Sequence, residues 1–177
     1  MRATGIVRRI DSLGRVVVPK EIRSILRIRE GDPLEIYTEH EGEIILKKYS
    51  PISEIGEFAK QYAESLGNHS RHGIIITARD RVIAVSGLEK EMVGRELSKE
   101  FESILENRIL VKEDTRKIKI TKEGEISRAK VIQPILCLGD VIGSVILFGN
   151  DDFSAISEED VRLVKIAADF LGKQMEV

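Results

Sequence analysis

The chain has 177 residues, 42% hydrophobic and 33% charged, with a formal net charge of −2; this is a soluble globular composition, sized for one domain or two small ones. No apolar run approaches the ~20 residues that span a bilayer, and Met1-Arg2-Ala3-Thr4-Gly5 lacks the apolar stretch of a secretory signal, so the expected location is the cytoplasm without membrane contact. One cysteine excludes an intrachain disulfide, and 5% aromatics with no Trp argues against base stacking on single strands.

The first segment, Thr4–Ile10, alternates as a strand, with Ile6, Arg8 and Ile10 on one face and Val7 and Arg9 on the other. Asp11-Ser12-Leu13-Gly14 is turn chemistry. Arg15–Val18 reads as a second strand ended by Pro19. Lys20–Ile28 reads as a short helix with Ile22, Ile25 and Leu26 on a shared face. Leu34–Thr38 and Ile44–Tyr49 are two further strands around Glu41-Gly42-Glu43. A unit this small rarely buries enough core alone, and it has no disulfide or metal cluster to staple it. An obligate dimer whose strands share one core is therefore expected.

Charge along this unit is sharply divided. Met1–Arg29 has eight basic and two acidic side chains, a balance of +6, whereas Glu30–Tyr49 has two basic and six acidic ones, a balance of −4. A local cationic surface on a near-neutral chain points to a polyanion, most often nucleic acid. The competing reading is a solvated face whose arginines pair locally: Arg8 and Arg9 with Asp11, Arg23 and Arg27 with Glu21 or Glu30.

A new domain starts at Ser50-Pro51, a plausible helix cap and first helical residue. The domains are thus 1–50 and 51–177, with 51–67 as a first helix that also serves as a connector. Ile52, Ile55, Ala59, Tyr62 and Leu66 recur at spacings of 3 and 4. That pattern is the seam of a helix on another helix, or of a helix on its own domain's sheet. Gly67-Asn68 is expected to end it. His72–Ala78 and Arg81–Ser86 follow as a hairpin, then a helix over Gly94–Ile109 with Leu97, Phe101, Ile104 and Leu105 inward. Val111–Glu125 reads as loop with a strand near Ile118–Thr121. Ala129–Leu138 and Val141–Gly149 are continuous apolar strands of a covered sheet. Ser157 and Asp160 form a capping-box pattern. The last helix carries Val161, Val164, Ala168, Leu171 and Met175 at the same spacings. The order of elements describes an α+β sandwich on one sheet. The two terminal helices, with matching seams, pair with each other or with their copies in another subunit; the second arrangement predicts a homotetramer.

From Thr4 through Leu13-Gly14-Arg15-Val16-Val17-Val18-Pro19-Lys20-Glu21-Ile22-Arg23, and on through Gly31-Asp32-Pro33 to Ile44–Tyr49, the chain resembles the AbrB family of transition-state regulators. The resemblance implies a dimeric swapped-hairpin β-barrel with one short helix, binding double-stranded DNA through arginines. The matching positions are Arg8, Arg15 and Arg23, with Arg9 as a basic neighbour; Ser24 stands where the family often has another arginine. The whole architecture resembles the sporulation members of that family, which carry a C-terminal GAF domain. This implies a transcriptional regulator, activator or repressor, of late sporulation genes. Fixed arginines on a rigid barrel suit the groove width and deformability of A/T-rich DNA. The GAF-like domain is then for signal input from an unknown small-molecule effector, for assembly, or for both. Two rivals are a small-molecule sensor acting mainly through protein contacts and an antitoxin-like partner-binding protein.

No catalytic, metal or cofactor site is predicted. His40, His69 and His72 lie in polar stretches and are expected at the surface, without carboxylates or cysteines at metal-ligand spacing. Gly139-Asp140-Val141-Ile142-Gly143 sits between strands, so it is a hairpin and not a phosphate loop. Cys137 reads as a small core hydrophobe.

Overall fold

The computed structural model describes residues 5–39, 42–50, 52, 56–70, 72–88, 90–112, 118–123, 129–149 and 156–176. Thr4, His40, Pro51, Ile55 and much of the 111–125 loop, each named in the sequence reading, lie outside the described residues. Two compact units divide the chain, Met1–Tyr49 and Ser50–Val177.

The first unit opens with a turn. Asp11 N–H donates to Arg15 O and Gly14 N–H to Asp11 O, both at 3.0 Å. Gly14 sits at φ +76°, so the three-residue loop Ser12-Leu13-Gly14 is a hairpin loop whose last residue must enter the left-handed region. The arms that leave this turn are not strands within one chain. Apart from the turn bonds, residues 5–10 and 16–18 make no backbone hydrogen bond among the described residues. This corrects the expected strands over 4–10 and 15–18. Alternation marks a face to be covered, and a single chain offers these arms nothing to pair with.

Helix α1 spans Lys20–Leu26. It stops two residues before the expected end because Arg27 turns left-handed at φ 53°, with Ile28 N–H closing back onto Arg23 O at 2.8 Å. Strands β1, Leu34–Thr38, and β2, Ile44–Lys48, pair antiparallel from Leu34↔Lys48 to Thr38↔Ile44. The carboxylate of Asp32 ties these pieces together. It accepts Arg29 N–H at 2.8 Å and pairs with Lys48 Nζ at 3.3 Å, while Lys48 also donates to Arg27 O at 3.2 Å. The end of α1 is thereby fixed to the end of β2. Even so, apart from Pro19 no apolar side chain among the described residues of this unit is buried: Val7 is 86% exposed, Ile25 79% and Val17 72%.

The second unit is built on a five-stranded antiparallel sheet in the order β4-β3-β7-β6-β5. Its elements in chain order are α2, Gly56–His69; β3, Gly73–Ala78; β4, Val82–Ser86; a 3-10 turn, Lys90–Met92; α3, Lys99–Glu106; β5, Val111–Lys112; β6, Ala129–Cys137; β7, Asp140–Phe148; and α4, Glu158–Gln174. The strands alternate between two cores. Ile74, Ile76, Ala84, Val145 and Leu147 face one side with Ala59, Ala63 and Leu66 of α2 and Val164, Ala168 and Leu171 of α4. Ile75, Val85, Ile132 and Ile146 face the other with Phe101 and Leu105 of α3 and with Ile118 and Ile120. Most described residues of the two terminal-helix seams are thus taken up by their own sheet, while Tyr62 also meets Phe170 of α4, so the matching spacing is no longer a reason for contact between subunits.

Local chemistry sets the helix ends. The α4 capping box is complete: Asp160 N–H donates to Ser157 Oγ and Ser157 N–H to Asp160 Oδ2, each at 3.0 Å. Ser98 caps α3 by accepting Phe101 N–H at 3.0 Å, so that helix starts at Lys99 and not at Gly94, whose φ of +86° breaks the chain direction. Helix α2 runs past Gly67 to His69; at Gly67 the helix passes so close to Ser86 that a Cβ there would meet its side chain, which accounts for the glycine. The segment near Ile118–Thr121 forms isolated bridges and not a continuous strand, among them Thr121 with Leu97. At the β6–β7 turn Leu138 and Gly139 both take positive φ, 49° and 89°, the two-residue loop that matches strand twist.

Candidate nucleic-acid interface

The basic residues of the first unit are displayed in three ways. Arg8 and Arg9 stand on the first arm, exposed and without an ion pair among the described residues. Arg23 stands exposed on α1, one turn after Pro19, and its N–H donates to Pro19 O at 3.0 Å. Arg15 leaves the hairpin turn and is held: its Nε–H donates to Asp11 Oδ2 at 2.8 Å with the side chain still 72% exposed. The local pairings considered from sequence, Arg8 or Arg9 with Asp11, do not form; Asp11 is occupied by Arg15.

Asp11 carries the turn. Its Oδ1 accepts the N–H groups of Leu13 and Arg15, both at 2.9 Å. The Arg15 N–H, then the Arg15 guanidinium, and least the Leu13 N–H hold its carboxyl below the usual carboxylate range. Sequence reading missed Asp11 as a partner of Arg15, although the spacing of four residues around a Gly-ended turn was the available signal. It also missed Asp32 and Lys48, whose pairing is 16 positions apart and visible only once β1 and β2 are in register.

Elsewhere the second unit holds one surprise. His72 was expected at the surface, yet it is 6% exposed, with Nε2 at 3.8 Å from the capping-box carboxylate of Asp160. The residue precedes β3 directly, so entry into the sheet draws its ring under the start of α4. His69 is exposed, and Cys137 is half-buried with its Sγ donating to Met175 O at 3.4 Å. No group of three or more His, Cys, Asp or Glu is placed to hold a metal ion, and no helix is long and apolar enough to cross a membrane, among the described residues.

A cation-rich small unit whose apolar surface lies open, followed by a sheet covered by helices on both faces, is in keeping with the expected AbrB-type DNA-recognition domain joined to a GAF-like domain. Comparison with known proteins gives the same division. Residues 7–54 match the model described as antidote-toxin recognition MazE, bacterial antitoxin, and residues 54–176 match stage V sporulation protein T C-terminal, transcription factor. Stage V sporulation protein T of Bacillus subtilis is 48% identical over 99% of both chains. Transition state regulatory protein AbrB of the same organism is 61% identical over 29% of this chain and 52% of its own. For the fold alone, the crystal structure of the GAF domain of an Acinetobacter phosphoenolpyruvate-protein phosphotransferase covers 71% of this chain and 87% of its own, at a TM-score of 0.57 and 14% identity. The chain belongs to the stage V sporulation protein T family of transcription factors.

Proposed function

We propose that this protein is a cytoplasmic regulator of late sporulation genes, activating or repressing them by binding A/T-rich duplex DNA through Arg8, Arg9, Arg15 and Arg23. The unit 1–50 acts as a homodimer, which doubles that set of arginines. The observation that carries the reading is the coincidence of exposed arginines with an apolar surface that one chain leaves uncovered. Each arginine is a permanently charged, planar donor able to clamp a phosphate or a base edge, and each neutralised phosphate releases counterions.

The unit 51–177 serves signal input by a small-molecule effector, assembly, or both. Assembly into a tetramer draws support from the outer surface of its terminal helices. Phe58 and Tyr62 stack, and Phe170 meets both at a tilt, with ring centroids 5.4–6.2 Å apart; Ile166, one turn before Phe170, is 66% exposed. A second copy is the occupant that suits such a surface, because its own aromatic cluster is the complement a two-fold axis supplies.

Fluorescence anisotropy of a labelled A/T-rich duplex across a salt series tests the DNA reading. Arg8→Ala, Arg15→Ala and Arg23→Ala are each expected to weaken binding and to flatten the plot of log affinity against log salt by roughly 1–2 units in the dimer. Wild-type protein that shows no salt-dependent binding at micromolar concentration would refute it.

A further inference from the structure

Asp11 is one of only two acidic side chains in the first 29 residues. It is placed where a negative charge opposes a polyanion. Forming the turn does not require that charge. Oδ1 alone accepts the two backbone N–H groups of Leu13 and Arg15, and an asparagine oxygen would do the same. The second oxygen has a different partner, the Nε–H of Arg15 at 2.8 Å. A guanidinium held by its Nε edge keeps the two terminal amino groups pointing away as a fork. Those are the donors that engage a phosphate or a guanine edge in pairs. Arg15 has no other ion-pair partner among the described residues and remains 72% exposed.

We propose that Asp11 is a positioning residue: it grips Arg15 by one edge so that the other edge meets DNA in a preset orientation, raising discrimination between duplexes at some cost in overall attraction. This deepens, and rests on, the reading that Arg15 touches DNA. A long side chain that is already immobilised loses less freedom on binding, and a fixed fork rejects a groove whose phosphates are displaced from it. A free arginine, by contrast, follows the phosphates of any groove.

Full-length protein is titrated with A/T-rich and G/C-rich duplexes of equal length at one salt concentration, as wild type, Asp11→Asn, Arg15→Lys and the double variant. Thermal melts accompany each. Asp11→Asn keeps the turn acceptor and removes the grip, so the affinity ratio between duplexes is expected to shrink about three- to tenfold with the melting temperature little changed. Arg15→Lys, which has no Nε–H edge to grip and no fork, is expected to shrink the ratio similarly, and the double variant no further than either alone. Asp11→Ser, with a turn-forming oxygen too short to reach Nε, must repeat the Asp11→Asn ratio even if one of the two melts early. An unchanged ratio in Asp11→Asn, or equal gains for both duplexes, would show Asp11 to be a turn residue or a plain negative charge and overturns the inference. A wild type that does not discriminate overturns it as well. Arg15→Lys binding both duplexes like wild type removes the DNA role of Arg15 together with its positioning.

Discussion

Cys137 carries the chain's single thiol, and its surroundings keep the proton on. Burial is the first cause, and the carboxylates of Glu176 and Asp140 add to it, so the pKa lies above its ordinary value. The sulfur also donates to Met175 O, which ties the thiol down as a donor. Because the thiolate is the reactive form, alkylation by iodoacetamide at pH 7.5 is expected to be slower than that of a free cysteine peptide, with its rise displaced to higher pH than the peptide's. A rate equal to the peptide's at pH 7.5 would contradict the placement. Residues of this kind divide the legible from the illegible. The arginine-bearing motif and the Ser157–Asp160 cap were readable because their signals lie within a few positions. The burial of His72 and the bond from Cys137 to Met175 were not, because each depends on an element tens of residues away. The polar neighbours of His72 in sequence suggested a surface that the tertiary fold then covered.

At the scale of elements, periodicity identified what is apolar without naming its partner. The seam of α2 and α4 reads equally as helix-on-helix or helix-on-sheet, and the structure uses both: the two helices lie on one face of the sheet and meet through Phe58, Tyr62 and Phe170. The same gap explains the first two strands, whose alternation was real while the ladder is missing from a single chain. Close approach between helix and strand is the other device that patterning hides. Gly172 of α4 lies so near β6 that a Cβ on it would come within 2.1 Å of Leu136 O. Two effects of Gly172→Ala compete: helix propensity favours alanine by about 1 kcal/mol, and overpacking against backbone costs roughly 1–3 kcal/mol. Since the obstacle is a main-chain carbonyl and not the tip of a flexible side chain, overpacking wins. The variant is expected to lower the stability of the full chain by up to about 2 kcal/mol in denaturant melts. A more stable variant would mean that α4 can lift from the sheet freely.

The two units of the whole molecule differ in self-sufficiency. Residues of 51–177 bury two cores around one sheet, whereas 1–50 leaves Val7, Val17 and Ile25 open to water. Apolar exposure on that scale is not sustained by a solitary domain. Sedimentation of the fragment 1–50 is expected to show a folded dimer at micromolar concentration, with unfolding as it dissociates on dilution; a stable folded monomer would refute the shared core. In the same measurement the full chain is expected to run as a tetramer that Ile166→Glu reduces to a dimer, and a wild type that is already dimeric would remove the helix surface from assembly. Length and element order made the division into two parts visible at the start. Which surfaces join subunits was not visible, because a residue's exposure is settled only after its own chain has finished folding.

The uncovered apolar side of 1–50 also has a genetic consequence. If one chain cannot complete that core, chains from two alleles must mix within it. A copy that folds normally but lacks Arg15 would enter dimers with intact copies and disable the shared DNA surface. Such an allele is expected to be dominant, whereas one that merely prevents folding of 1–50 would be recessive, since its product never joins a partner.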